Sequence, residues 1–218
     1  MDEPWEDPDW YDLHDTTWTA GPEREPEHYR EFVIALPPLG ESDHLVDVGA
    51  GTGKLALEIA KAYPSLGRVT LLEPNAPKLA RAKQRLAAAL PGARIDGIGS
   101  GVGDEPRVAI DAPAMLVTVG SVFMPMLMLR GGSLADGLAW LGRGLRDCAA
   151  ALEPGRPLFL LETLAPPWAA AEAGDRCRRL FLPELAREVE GAGFTGVECV
   201  FRFRDRVVVS AVKPGPGR

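Results

Sequence analysis

The residues best suited to chemistry lie in a glycine-rich run, DVGAGTG at residues 47–53, which follows a short apolar segment. Gly49 and Gly51 have no Cβ, so the backbone there can turn tightly and approach a ligand closely. Gly53 allows the following helix, which begins near Lys54, to pack close to the strand. The loop amides and the helix N-terminus would then face a ligand.

A second chemical position is Glu73, twenty residues after Gly53 and at the end of the apolar segment RVTLL. A carboxylate in this position can accept hydrogen bonds from both hydroxyls of a ribose. The glycine spacing is GxGxG preceded by an acid, Asp47, whereas dinucleotide sites typically have GxGxxG. A phosphate-binding P-loop is excluded because Lys54 is followed by Leu55 and the leading glycine is missing.

LVDVGAGTGKLALEIA resembles the first motif of the class I methyltransferases that depend on S-adenosylmethionine (SAM), and LLEPN resembles the second. The resemblance covers roughly residues 43–212. It implies SAM as cofactor, S-adenosylhomocysteine (SAH) as product, and no metal. SAM carries an ammonium and a sulfonium but no pyrophosphate, which suits an acid at the end of the strand. The cofactor-binding residues implied in these two motifs are Asp47, Gly49, Ala50, Gly51, Gly53, Glu73 (ribose) and Pro74 (adenosine).

Two further motifs of this family match less closely. An acid after the third strand often binds the adenine amine, and here Ser100 and Asp104 are both candidates for that position. The fourth motif matches residues 118–121, TVGS. By resemblance, Val119 and Gly120 end the fourth strand, and the region of Gly120 offers a backbone carbonyl to the methionine ammonium.

The elements that would position these residues alternate between strands and helices. This alternation predicts an α/β fold with a doubly wound parallel sheet, closed by a hairpin whose last strand is antiparallel. The family resemblance implies seven strands in the order 3-2-1-4-5-7-6. The predicted strands are 44–48, 68–72, one within the glycine-containing segment 94–102, then 114–119, 157–162, 197–203 and 206–212. The predicted helices are 26–36, 54–63, 77–90, 134–152 and 183–190.

Candidates for a general base are few. His14 and His28 lie in the N-terminal segment together with Tyr29, and all three are weak catalytic candidates. Surface positions on a helix explain His28 and Tyr29 better than a catalytic role does. His44 opens the first strand, away from the expected site. Many small-molecule O-methyltransferases have a histidine after the fourth strand, but FMPMLML at 123–129 contains no base. This Met-rich stretch fits either core packing or a flexible apolar wall for a substrate.

Charge separates an N-terminal arm from the rest of the chain. Residues 1–31 hold eleven acids against two bases, a net −9, whereas the remainder carries +2, giving −7 overall. We expect residues 1–25 to be an acidic, Trp-rich arm, 26–213 the SAM-binding domain and 214–218 a tail. The composition fits a disordered arm, but three tryptophans also fit a lid that folds over the cofactor and the substrate.

The composition argues against several function classes. No basic stripe points to nucleic acid, and no apolar stretch is long enough to span a membrane. No secretory signal is visible, and three widely separated cysteines favour the reducing cytoplasm over a disulfide framework.

The expected function is a SAM-dependent methyltransferase that acts at O, N or C of a small apolar molecule in specialised metabolism. The alternatives are a SAM-binding enzyme of the same fold that catalyses a non-methylating step such as cyclisation, or a non-catalytic partner protein. The oligomeric state stays open.

Overall fold

Helices and strands alternate along most of the chain. The computed structural model describes residues 6–19, 25–104, 107, 109–110, 113–130, 133–165, 179–203 and 205–215. The helices are α1 (Pro8–Thr19), α2 (Glu25–Ala35), α3 (Lys54–Ala62), α4 (Ala76–Ala89), α5 (Phe123–Arg130), α6 (Leu134–Ala151) and α7 (Leu182–Gly191). The strands are β1 (His44–Val48), β2 (Arg68–Leu72), β3 (Arg94–Ile98), β4 (Leu116–Gly120), β5 (Pro157–Thr163), β6 (Thr195–Phe203) and β7 (Arg206–Val212).

The seven strands follow the order β3-β2-β1-β4-β5-β7-β6. β7 is antiparallel to both β5 and β6, and the pairs β1–β2, β2–β3 and β4–β5 are parallel. The predicted fold and strand order are therefore confirmed. By their internal contacts, the residues group into two compact units, Met1–Gly101 and Val102–Arg218.

In the first unit, apolar periodicity explains the layers. Every residue of β1 is buried, as expected for a parallel strand covered on both faces. α3 turns Leu55, Ala56, Ile59 and Ala60 towards the core, positions that repeat at the spacing of one helical face. α4 begins at Asn75, whose side chain accepts the N–H of Lys78 at 3.0 Å and so caps the helix.

In the second unit, β5 is buried along almost its whole length. The Met-rich stretch forms α5, and its residues Phe123, Met124 and Leu127 are fully buried. These three positions therefore pack in the core, while Pro125 and Met126 are half-buried. The rings of Phe123 and Trp140 of α6 pack in a T-shaped arrangement, with their centroids 5.7 Å apart.

β3 (Arg94–Ile98) lies within the predicted segment 94–102. Other bounds differ from the prediction: β4 begins at Leu116, two residues later than expected, and β6 begins at Thr195, two residues earlier. The helix α5 was not among the predicted helices. The acidic arm contains a helix, α1, that the sequence pattern did not predict. Among the described residues, no helix has both the length and the apolarity needed to cross a membrane.

A close approach of two backbones fixes the entry to β2. A Cβ built on Gly67 would lie 1.8 Å from the backbone oxygen of Glu41. Neither partner is a flexible side chain, so only a residue without a Cβ fits there. Gly92 stands two residues before β3, but a Cβ at that position would meet nothing within 4 Å.

We expect Gly67→Ala to destabilise the protein by at least about 3 kcal/mol, the upper end of the usual cost of overpacking. Gly92→Ala, the matched control, should change the free energy of unfolding by less than about 0.5 kcal/mol. Urea unfolding of both variants measures the difference. Equal stabilities would contradict the close approach at Gly67.

Candidate cofactor and active site

The glycine loop, residues 49–53, adopts a backbone conformation that is unfavourable for residues with a side chain. Gly49, Gly51 and Gly53 have φ values of 66°, 53° and 83°, in the left-handed region. A Cβ on Gly53 would lie 2.9 Å from the Cα of Ala82, so this glycine also permits the close approach of α4. The N–H groups of Gly49 and Ala50 donate to Leu72 O at 2.8 and 3.0 Å and tie the loop to the end of β2.

Glu73 joins the two predicted motifs. Its side chain is only 8% exposed. Oε2 accepts the N–H of Gly51 at 2.9 Å, and Oε1 accepts the N–H of Asn75 at 2.9 Å. Each carboxylate oxygen can accept a second hydrogen bond. The carboxylate is therefore held between the glycine loop and α4, with acceptor capacity left for the hydroxyls of a ligand.

Asp47 adds a second acid beside the same loop. It is 1% exposed and stands one residue before the end of β1. The parallel register pairs Asp47 with Leu71, so this acid and Glu73 lie at the same end of neighbouring strands. Two buried acids suit hydroxyl and ammonium groups and disfavour a pyrophosphate. The residues of the first two motifs therefore fit SAM.

The N-terminal helix α1 is bound to this loop through Asp12. The Thr52 hydroxyl donates to Asp12 Oδ1 at 2.5 Å, and Arg81 donates to Oδ2 at 2.9 Å. Arg85 donates to both carboxylate oxygens, at 3.2 and 2.6 Å. Lys54 Nζ donates to the backbone oxygen of Asp12 at 3.2 Å. Burial favours a raised pKa for Asp12, but hydrogen bonds from its three side-chain partners hold the pKa below its ordinary value.

Tyr11, one residue earlier, lies against the loop itself. A Cβ on Gly51 would meet the Tyr11 ring at 3.3 Å. Lys78 Nζ lies over the same ring, 4.1 Å from its centroid, a favourable cation–π distance. Burial lowers the pKa of Lys78, and the negative charges of Glu73, Glu6 and Asp12 oppose that shift.

The third-motif candidates have different surroundings. The Ser100 hydroxyl donates to Gly101 O at 3.3 Å. Asp104 is half-buried beside Gly103, whose N–H donates to Asp147 Oδ2 at 2.8 Å. Ser100 belongs to the first unit and Asp104 to the second, and the adenine contact of either residue stays a prediction.

The end of β4 is shaped by β5. Val119 is buried and Gly120 is half-buried. Ser121, the next residue, has a φ of 55°, an uncommon backbone conformation for a residue with a side chain. Its N–H donates to Leu161 O at 2.6 Å. The predicted contact of this turn with the methionine ammonium stays a prediction.

Sequence reasoning missed Glu162, which organises the same turn. Its carboxylate is fully buried at the end of β5 and accepts the N–H groups of Val122, Phe123 and Met124 at 3.1, 2.8 and 3.3 Å. Burial raises the pKa of Glu162 to about 7, although the three N–H donors and the positive charge of Arg179 oppose the rise. The signal in the sequence was an acid that ends an apolar strand, LFLLE, as Glu73 does.

The structure gives no catalytic role to the candidate bases in the N-terminal helices. His14 lies in α1 and His28 in α2, but their side chains lie outside the described part of the structure. Tyr29 is half-buried in α2. His44 is buried at the start of β1, and its Nε2 is hydrogen-bonded with Thr70 Oγ1 at 2.8 Å. His44 therefore links β1 to β2 at the strand end opposite Glu73.

In the described part of the chain, no group of three His, Cys, Asp or Glu side chains is arranged to hold a metal ion.

No protein-family model and no curated protein matches the chain. Solved structures do match its fold. The SAM-dependent methyltransferase SibL, in its apo form, superimposes with a TM-score of 0.67 at 18% identity over 94% of this chain. The mitomycin 7-O-methyltransferase MmcR superimposes with a TM-score of 0.62 at 21% identity over 85% of this chain. Human N-acetylserotonin methyltransferase in complex with SAM superimposes with a TM-score of 0.60 at 18% identity over 86% of this chain.

The chain spans 58%, 53% and 52% of those three proteins. At these identities the likeness concerns the fold, which is the Rossmann-like fold of the class I SAM-dependent methyltransferases.

The buried position of Glu162 predicts a pH dependence of stability. A carboxyl whose pKa is higher in the folded state than its ordinary 4.5 favours folding at low pH, and this contribution is lost as the pH rises towards about 7. We expect the free energy of unfolding of the wild type, relative to Glu162→Gln, to fall by at most about 3 kcal/mol between pH 4.5 and 8. Urea unfolding of both proteins across this range measures it. A constant difference would contradict a raised pKa.

Proposed function

We propose that this protein is a SAM-dependent methyltransferase that acts on a small, apolar molecule in specialised metabolism. The observation that carries the proposal is the Glu73 carboxylate, which is fixed by the amides of Gly51 and Asn75 and keeps acceptor capacity at the glycine loop. The fold supports the same conclusion, because solved structures that share it are named as a SAM-dependent methyltransferase, SibL, and as a mitomycin 7-O-methyltransferase, MmcR.

The residues that would hold SAM are those of the first two motifs, and the described geometry supports this assignment. Glu73 would accept hydrogen bonds from the ribose hydroxyls, Asp47 would favour the positive charge, and Gly49 and Gly51 would allow the backbone to approach the ligand. When bound, SAM supplies a methyl group on a positively charged sulfur, which is an excellent leaving group. The work left to the protein is to align the acceptor with that methyl and to exclude water.

The acceptor atom is constrained by the chemistry after β4. The stretch 123–129 contains no base, and Glu162 is committed to the backbone amides of α5. A general base is needed only where the nucleophile is protonated at the working pH. This arrangement favours an acceptor that needs no proton removal from within the site.

We expect Glu73→Ala to weaken SAM binding by about 10- to 100-fold, because hydrogen bonds to a charged acceptor contribute about 1.5–3 kcal/mol. Glu58→Ala is the matched control, since Glu58 pairs only with Lys61 on the surface of α3 in the described contacts. Its affinity should stay within about twofold of the wild type. Calorimetric titration with SAM and SAH measures both. Unchanged affinity for SAM in a folded Glu73→Ala protein would contradict the assignment of Glu73 to the SAM site.

Product analysis separates methyl transfer from the alternatives. With SAM and a panel of apolar phenols, amines and activated carbon acids, we expect one SAH to form for each methylated product, measured by mass spectrometry. A transformed acceptor without SAH would instead support the non-methylating enzyme, for which the missing base after β4 is the motivating observation. If a variant that no longer binds SAM still binds a protein partner, that result would support the non-catalytic role.

A further inference from the structure

We infer that the N-terminal helix α1 is part of the cofactor site: Tyr11 is a cofactor-contact residue, and Asp12 is the positioning residue that holds it there. The inference rests on the proposed function and deepens it, because it assigns a cofactor contact to the acidic arm, outside the motifs of the Rossmann-like fold.

The first argument is the set of contacts around Glu73. Gly51 and Asn75 donate their N–H groups to this carboxylate, and both are also contacted by the arm. Gly51 faces the ring of Tyr11, while the side chain of Asn75 donates to Glu6 O at 2.9 Å. The arm therefore lies on both neighbours of the group that we assign to the ribose.

The second argument is the position of the Tyr11 ring. The ring lies close to Gly51 of the loop and also to the ammonium of Lys78. An aromatic ring in this place adds an apolar surface beside the loop, and it contacts a buried cation. A nucleoside seated on Glu73 would have this ring as an outer wall.

The third argument is that acidic residues of α1, chiefly Asp12, hold the helix in its place. Asp9 adds one contact, in which it accepts a hydrogen bond from Arg81 at 2.6 Å. A 12-residue helix is marginally stable without tertiary contacts, and Leu13 on α1 is 75% exposed. The Asp12 carboxylate connects α1 to Thr52 of the loop and to Arg81 and Arg85 of α4.

Both arginines are partly exposed, so salt screens these ion pairs. We therefore expect that high salt weakens the contacts of Asp12, and that α1 and the cofactor then dissociate together from the loop.

The experiment compares variants of the full chain by calorimetric titration with SAM and by stopped-flow dissociation of SAM. The variants are Tyr11→Ala, Tyr11→Phe and Asp12→Ala, with the exposed neighbour Leu13→Ala as matched control. Circular dichroism and thermal unfolding check that each variant is folded. Each dissociation rate is measured at low and at high salt.

We expect Tyr11→Ala and Asp12→Ala each to raise the dissociation constant of SAM by about 3- to 10-fold, mainly through faster dissociation. The dissociation constants of Tyr11→Phe and Leu13→Ala should stay within about twofold of the wild-type value, because the aromatic ring and the contacts of Asp12 both remain. High salt should speed SAM dissociation from the wild type and have less effect on Asp12→Ala.

Three results would overturn the inference. Unchanged affinity and dissociation in folded Tyr11→Ala and Asp12→Ala would mean that α1 is merely packed beside the site. Tighter binding in these variants would mean that the helix blocks the site. A wild-type protein that binds neither SAM nor SAH would overturn the proposed function as well, so the two failures are distinguishable.

Discussion

The hydrogen bond from the Gly51 amide to the Glu73 carboxylate connects most of the features described here. It requires the left-handed backbone that glycine adopts without strain, which turns the amide towards the end of β2. Together with the amide of Asn75, it compensates a carboxylate that burial would otherwise penalise. The start of α4 and the shape of the loop are therefore set by one acid.

Much of the fold could be predicted because its signals are local. The segments HLVDV and RVTLL match β1 and β2 to the residue, since each is a short apolar run bounded by turn-forming residues. The end of β3 within residues 94–102 could not be predicted from the segment itself, because it coincides with the end of its neighbour: the last pair of the β2–β3 ladder is Leu72 with Ile98. No periodicity in residues 94–102 indicates where the neighbouring strand ends.

The candidate site divides in the same way. Asp47 and Glu73 could be found because the glycine motif and the strand ends lie close to them in sequence. Asp12 and Glu162 could not, since their partners lie about 40 residues away or further. A weak signal existed for Asp12: the arm is strongly acidic, and Arg81 and Arg85 stand four residues apart on one face of a helix.

The contacts of α1 with the glycine loop and α4 have an evolutionary consequence. Asp12 on α1 precedes β1, whereas Arg81 and Arg85 on α4 follow β2. The acid of one helix and the arginines of the other must therefore be present together for these contacts to form. A recombination event with a crossover between α1 and β1 would join an arm from one ancestor to arginines from another. Such hybrids would lose the match unless both parents carried it, so selection should keep the arm and α4 in the same lineage.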